Sequence, residues 1–404
     1  MTGVREDSRR RFRWLCAATL FEFLALGVFL VSLPLFLSDE LGASSATIGL
    51  TVGAFSVSAV VLRPVVGRQA DRRGRLRFLM AAPVILLLSS GGLALADSVI
   101  AVVGLRMFQG VAGACFYTAG ATIATDLAPV ERRAEYLGRF SLFIYSGFAV
   151  GPLLADRLVH AYGFGAAWAA AATFAIAAFV AARRVGETNA VGGFTGAPVS
   201  PEKPPVEVTR AKIRMFHPAS IGPGLVLTMA ATGYNSITVF SPLYARSIDA
   251  PAGLFYLVFA LTIIGVRALA AGVADRRGRV AVAAPGMAAS AVGLALLAST
   301  PPAPLALAGV AVFASGFAVV FPALMALTDD GAPLGERGEA LGSTVAFFDI
   351  GAWLGGYTVG AVADAAGFGA GFAVPATLCV LGTALVLRLG GRQTAAVSSS
   401  TGCT

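Results

Sequence analysis

The chain has 404 residues, of which 57% are hydrophobic and only 13% charged, with a formal net charge of +8. A soluble domain carries about a quarter charged residues, so this composition excludes a water-covered globule and points to lipid as the solvent. The basic excess lies in short loops between apolar runs, which is the pattern of membrane topology and not of a nucleic-acid surface.

The N-terminal MTGVREDSRRRFRW is basic and then turns apolar. It has the first region of a signal peptide, but no small-residue cleavage site follows. We read it as an uncleaved first span whose arginines hold the N-terminus in the cytoplasm. Crossing the hydrocarbon takes about 20 apolar residues. Twelve runs qualify: 14–37, 47–66, 78–96, 99–124, 136–158, 165–182, 218–240, 252–271, 280–298, 304–327, 340–361 and 370–389. They are continuously apolar and not alternating, so helices are expected in place of a barrel. The fold class is therefore an all-α membrane protein with twelve transmembrane helices.

The loops orient it. Arg68, Arg72, Arg73, Arg75 and Arg77 fall between spans 2 and 3, and Arg132 and Arg133 between spans 4 and 5. Arg183, Arg184, Lys203, Arg210, Lys212 and Arg214 fall between spans 6 and 7, and Arg276, Arg277 and Arg279 between spans 8 and 9. The opposite loops hold little beyond Arg157, His160 and Arg246. Both termini are expected in the cytoplasm of a multi-pass plasma-membrane protein. The Ala, Gly and Arg bias, with Lys203 and Lys212 the only lysines, points to a high-GC bacterial genome.

The Gly- and Pro-rich stretch 186–215 reads as a cytoplasmic linker. It separates an N-terminal six-helix half, 1–185, from a C-terminal half, 216–392. The small polar tail 393–404 is expected to be disordered.

The two halves repeat. Residues 274–279 read ADRRGR, identical to 70–75 at an offset of 204. At that offset Arg63 meets Arg267, Asp126 meets Asp330, Gly147 and Gly151 meet Gly351 and Gly355, and Gly163-Phe164-Gly165 meets Gly367-Phe368-Gly369. Two parallel six-helix repeats follow, related by an axis along the membrane normal.

Three motifs resemble those of the major facilitator superfamily. They are Gly67-x-x-x-Asp71-Arg72-x-Gly74-Arg75 in the loop after span 2, Leu105-Arg106-x-x-Gln109-Gly110 in span 4, and Gly147-x-x-x-Gly151-Pro152 in span 5. The last departs from the family's antiporter pattern where Ala155 and Asp156 replace its closing glycines. The resemblance implies two halves around a central cavity lined mainly by spans 1, 4, 7 and 10. It implies a cytoplasmic gate at Gly67, Asp71, Arg72, Gly74 and Arg75, with Asp71 facing the start of span 11. The second copy supplies Asp275, Arg276, Gly278 and Arg279. It also implies that the Gly147, Gly151 and Pro152 motif belongs to proton-coupled export.

Charges at depth are not duplicated. Glu22, Arg106 and Asp349 have Val226, Val310 and Tyr145 as their counterparts. Arg106 lies roughly 10 Å along span 4, and a charge inside a span is functional by default. A carboxylate in low dielectric can alternate between protonated and ionised forms, so Glu22, then Asp349, are the candidate proton sites. Arg106 is expected to hold one of them ionised or to bind an anionic substrate group. The competing reading is a static ion pair or a capped polar group. Gln109, Tyr117, Tyr145, Tyr234, Asn235, Phe347, Phe348 and Trp353 are candidate cavity walls.

No phosphate loop, zinc motif, nucleophile elbow or redox Cys pair is encoded, and Cys16, Cys115, Cys379 and Cys403 are scattered. The chain is expected to be no enzyme, to need no cofactor or metal, and to draw on the proton gradient. The expected function is secondary active efflux of a small amphipathic or hydrophobic compound, a drug or secondary metabolite, by proton antiport. The alternatives are transport of a sugar, amino-acid-like compound or metallophore, and a non-transporting membrane sensor. Its partners are then a small molecule, protons and the bilayer, with a monomeric chain.

Overall fold

The structure is a computed structural model that describes residues 2–129, 132–188, 216–270, 277–333 and 336–401. Asp275, Arg276, most of the 186–215 linker and the side chain of Asp71 lie outside the described residues.

Among the described residues the first ten helices are α1 (Thr2–Asp39), α2 (Ser45–Arg73), α3 (Arg75–Leu93), α4 (Val99–Leu127), α5 (Arg133–Tyr162), α6 (Phe164–Arg183), α7 (Pro218–Ser247), α8 (Ala252–Leu269), α9 (Arg279–Ala298) and α10 (Ala303–Gly331). The helical run Arg337–Thr401 then breaks at Gly367, whose φ of 84° only glycine adopts without strain. That break separates α11 (337–366) from α12 (368–401). Its twin Gly163, with φ 77°, separates α5 from α6. The backbone stays helical to Thr401, over residues where composition predicts a disordered tail.

Among the described residues ten stretches are long and apolar enough to cross a membrane, and one of them, Glu339–Gly390, is 52 residues long and holds both α11 and α12. The helix outside that set is α7. It carries Ser220, Thr232, Asn235, Ser236, Thr238 and Ser241, yet all of these are buried. The hydroxyls of Ser220, Thr232, Ser236 and Thr238 bond back to the preceding turn, as Ser236 Oγ does to Thr232 O at 2.7 Å, and so are satisfied without water, whereas Asn235 Nδ2 has no hydrogen-bond partner among the described residues. At the N-terminus the helix starts well before residue 14. Arg11 donates to Val185 O and Glu187 O, both at 2.6 Å, and docks the first turns on the end of α6.

Each half is built the same way. On α5, Gly147 and Gly151 lie against the backbone of Phe23, Leu24 and Gly27 on α1. At the same register, Gly351 and Gly355 on α11 lie against Thr228 and Thr232 on α7. Such backbone approach is what small residues permit between helices in lipid. Aromatic packing repeats too: Phe36 meets Phe164 at 5.4 Å between centroids, and their counterparts Phe240 and Phe368 meet at 6.1 Å.

The halves join along two seams, α2 with α11 and α5 with α8. On the first, Gly49 faces Gly356, Gly360 faces Ser45, and Gly53 faces Trp353. On the second, Gly253 lies against Leu153 and donates its N–H to Asp156 at 3.2 Å. At the end away from the termini, Arg246 binds Asp39 through two bonds of 2.7 and 2.8 Å. There Asp364 also accepts the N–H groups of Ser45 and Ala46, at 2.7 and 2.9 Å, at the start of α2.

Candidate functional site

At the end of the bundle that holds the termini, the repeated turns share one geometry. Gly74 and Gly278 take φ of 95° and 90° and link α2 to α3 and the chain before α9 to α9. The arginine after each glycine turns back into its own half. Arg75 pairs with Asp126 at the end of α4, and Arg279 pairs with Asp330 at the end of α10 at 3.3 Å. Glu187 closes the first turn further, accepting from the N–H groups of Arg75 and Leu76 at 3.0 and 3.1 Å. A carboxylate there meets the positive end of α3. Gly67 faces Thr118 of α4, and Arg72 is exposed.

Deeper in the bundle the three unpaired charges of the sequence separate. Glu22 on α1 is fully buried, and neither carboxylate oxygen has a hydrogen-bond partner among the described residues. It lies within electrostatic range of Cys115 on α4. Arg106 does not reach it. Its guanidinium donates to Val52 O on α2 at 2.9 and 3.3 Å and to Gln109 Oε1 at 2.8 Å, and stacks 5.0 Å above Phe55. Of the two expected roles, holding a carboxylate ionised or binding an anionic substrate group, Arg106 makes no carboxylate contact in this conformation. Arg106 and Gln109 lie on the face of α4 that packs on α2, where a backbone carbonyl and an amide serve the guanidinium. Asp349 is instead paired with Arg63, across the α2–α11 seam.

Arg63 has a twin at the second seam. Arg267 on α8 lies 4.9 Å over the ring of Tyr145 on α5. Tyr145 and Asp349 are themselves repeat counterparts, so one seam holds guanidinium on carboxylate and the other guanidinium on phenol. Tyr234 on α7 stands within electrostatic range of Tyr145, Arg267 and Asp349. Its ring packs on Phe259, Phe317 and Phe348 at 5.7, 5.2 and 5.4 Å. Tyr117 on α4 is half-exposed and in electrostatic range of Tyr145.

Of the candidate wall residues, Tyr117, Tyr145, Tyr234 and Phe348 thus converge between the halves. Phe347 turns towards Phe216 and Gly224. Trp353 and Asn235 do not join them: Trp353 fills the α2–α11 seam at Gly53, and Asn235 faces the backbone of Gly356. Gly147, Gly151 and Pro152 form the α1–α5 crossing. Arg63 and Arg267 escape a reading by hydropathy because each sits where an apolar run gives way to the polar turn. Their repetition at the 204-residue offset is the signal that marks them. Among the described residues no three or more His, Cys, Asp or Glu side chains gather as a metal site.

Two six-helix halves, joined by seams and enclosing a phenol, guanidinium and aromatic cluster, define a multi-pass membrane transporter. A profile of the Major Facilitator Superfamily matches residues 15–356, and the chain belongs to that superfamily. It is a transporter of small molecules and not an enzyme, and the family needs no cofactor. An uncharacterised MFS-type transporter of Burkholderia pseudomallei is 28% identical over 384 residues, covering 93% of this chain and 91% of that one. Another, of Salmonella typhimurium, is 28% identical over 381 residues, covering 92% and 94%. The human organic anion transporter MFSD10 shares the fold with a TM-score of 0.65 at 18% identity, covering 94% of this chain and 99% of that one. The nucleoside transporter NupG does so with a TM-score of 0.67 at 15% identity, covering 94% and 98%.

Proposed function

We propose that this transporter exports a small amphipathic compound, a drug or secondary metabolite, in exchange for protons. One observation carries the proposal: Glu22 is a buried carboxylate that no described cation or N–H group serves. Ionisable groups inside a membrane are retained for a task. A carboxylate without a fixed partner is free to take up and release a proton as the helices around it rearrange, which a static ion pair is not. The cluster of Tyr145, Tyr234, Arg267 and Phe348 supports an amphipathic cargo, because it offers aromatic faces beside polar groups.

Alternating access follows from the seams. The basic loops assign the end with the termini to the cytoplasm in a bacterial cell membrane. The Asp39–Arg246 and Asp364–α2 bonds then close the outer end, which corresponds to an inward-facing form. Export requires these bonds to break while the cytoplasmic ends approach. The Gly147, Gly151 and Pro152 crossing allows α1 and α5 to move as one body in that step.

The test is proton movement in proteoliposomes that contain a trapped pH dye. Addition of a transported amphipath from a fluorescent panel is expected to release protons through the wild-type protein. Glu22→Gln is expected to abolish that release. Undiminished release from the variant would overturn the role of Glu22, and no proton movement with any transported compound would overturn antiport.

A further inference from the structure

The two seams carry the same arginine and different partners. Arg63 on α2 meets Asp349, whereas Arg267 on α8 meets Tyr145, the residue that stands where Asp349 stands in the other half. The repeat therefore built two equivalent cationic positions and supplied a resident anion to one. Among the described residues Arg267 forms no ion pair; its Nε is buried without a partner, and the polar group beside its guanidinium is the neutral hydroxyl of Tyr145. A phenol ring at 4.9 Å attracts a cation without cancelling its charge. A partly buried, uncancelled guanidinium inside a membrane protein is costly to keep, and the usual remedy is a counter-ion.

We propose that the missing counter-ion is the substrate, and that the transported compound is an amphipathic anion with a carboxylate or similar oxyanion head. The head binds Arg267, whose planar fork of donors matches the two oxygens of a carboxylate. Tyr145 and Tyr234, both within reach of the same charge, add hydroxyl groups beside it. The apolar body lies on the aromatic nest that surrounds Tyr234, formed by Phe259, Phe317 and Phe348. Phe321, 5.8 Å from Phe348 between centroids, extends that nest along α10. Arg63 does not compete for the head because Asp349 already occupies it. This inference rests on the reading of the cluster as the substrate site, and it narrows that reading from amphipaths in general to anionic ones.

Equilibrium binding tests it without any proton gradient. Purified protein in detergent is titrated by calorimetry with 2-naphthoate and with its uncharged isostere 2-naphthamide. The wild type is expected to bind the anion at least tenfold more tightly. Arg267→Gln is expected to erase that preference by weakening 2-naphthoate and leaving 2-naphthamide unchanged, whereas Arg267→Lys keeps part of it. Arg63→Gln is expected to leave the preference in place. Equal affinities in the wild type, or an undiminished preference in Arg267→Gln, would overturn the assignment. A variant that loses 2-naphthamide as well has lost the site itself, and Arg267→Lys then decides: an anion preference there sustains the assignment, and none defeats it. Proton antiport stands or falls separately, because an anion preference with no coupled proton release defeats the antiport reading alone.

Discussion

Arg63 on α2 and Asp349 on α11 form an ion pair between the two halves of the transporter, while their repeat counterparts Arg267 and Tyr145 meet as cation and ring. The scaffold is duplicated and the charge balance is not. Asp349 is almost completely buried and Arg63 is about one-third exposed at its side chain, 6% and 30% respectively. Neutralising one member leaves the other in low dielectric. We expect Asp349→Asn to cost about 2 kcal/mol of stability, below the usual figure for a fully buried pair because Arg63 is partly hydrated. The double variant Arg63→Gln/Asp349→Asn is expected to melt above either single one. Thermal melting in detergent across this four-member cycle checks it, and simple additivity would count against the pair.

Glu22 is expected to behave in the opposite way. Neither of its oxygens bonds to a described residue, so the isosteric amide in Glu22→Gln removes no attraction. The variant should melt within about 0.5 kcal/mol of the wild type, or above it, because an amide is less costly to bury than a carboxylate. The same variant loses proton-coupled flux. A clear loss of melting temperature would show that Glu22 has a structural partner and would weaken its assignment as the proton site.

The frame of the molecule could be read from the sequence for a physical reason. A fixed offset of 204 residues forces equal helix lengths and equal crossings, so Gly147 and Gly351 predict the same close approach and Gly163 and Gly367 the same break. The spans were legible because lipid demands long apolar helices. The pairing of charges was not. Glu22 and Arg106 lie at similar depths, but depth along a helix says nothing about the face a side chain takes. Arg106 turns to α2 and Glu22 lies near Cys115 of α4. The Arg63–Asp349 pair joins residues 286 apart, and only the docking of the halves decides it. The loop arginines Arg75 and Arg279 look like partners for a gate, yet they bond within their own halves.

The outer latch is open to a direct test. Arg246 grips Asp39 with two bonds at the rim of a cavity of about 430 Å³ lined in part by Leu35, Asp156, His160 and Pro242. The pair is partly exposed, at 50% for the Arg246 side chain and 34% for Asp39. Its contribution is therefore modest, about 0.5 kcal/mol, and falls with salt. A balance between two nearly equal conformations still shifts measurably with that much. In a Cys403→Ser background, Leu35→Cys is expected to react slowly with a membrane-impermeant maleimide applied from outside. Adding Asp39→Asn should raise the rate two- to threefold. An unchanged rate would show that the pair does not hold the outer end closed.

The α2–α11 seam makes a sharper demand. A Cβ at Gly49 would run into the carbonyl of Gly356, and a Cβ at Gly356 would run into the carbonyl of Gly49. Backbone faces backbone here, so neither side can yield by changing rotamer. Overpacking at such a site costs about 1–3 kcal/mol. In the proposed alternating access that cost falls on one conformation, because the contact lies between the two halves. Gly49→Val should therefore slow transport at least tenfold while most of the protein still folds. A Cβ at Gly104 or Gly138 would meet no atom of another helix within 4 Å among the described residues. Gly104→Ala and Gly138→Ala should transport at the wild-type rate, which controls for the general effect of removing a glycine. Full activity in Gly49→Val would mean that the seam separates further than this packing implies, and that α2 and α11 are not the hinge on which the halves rock.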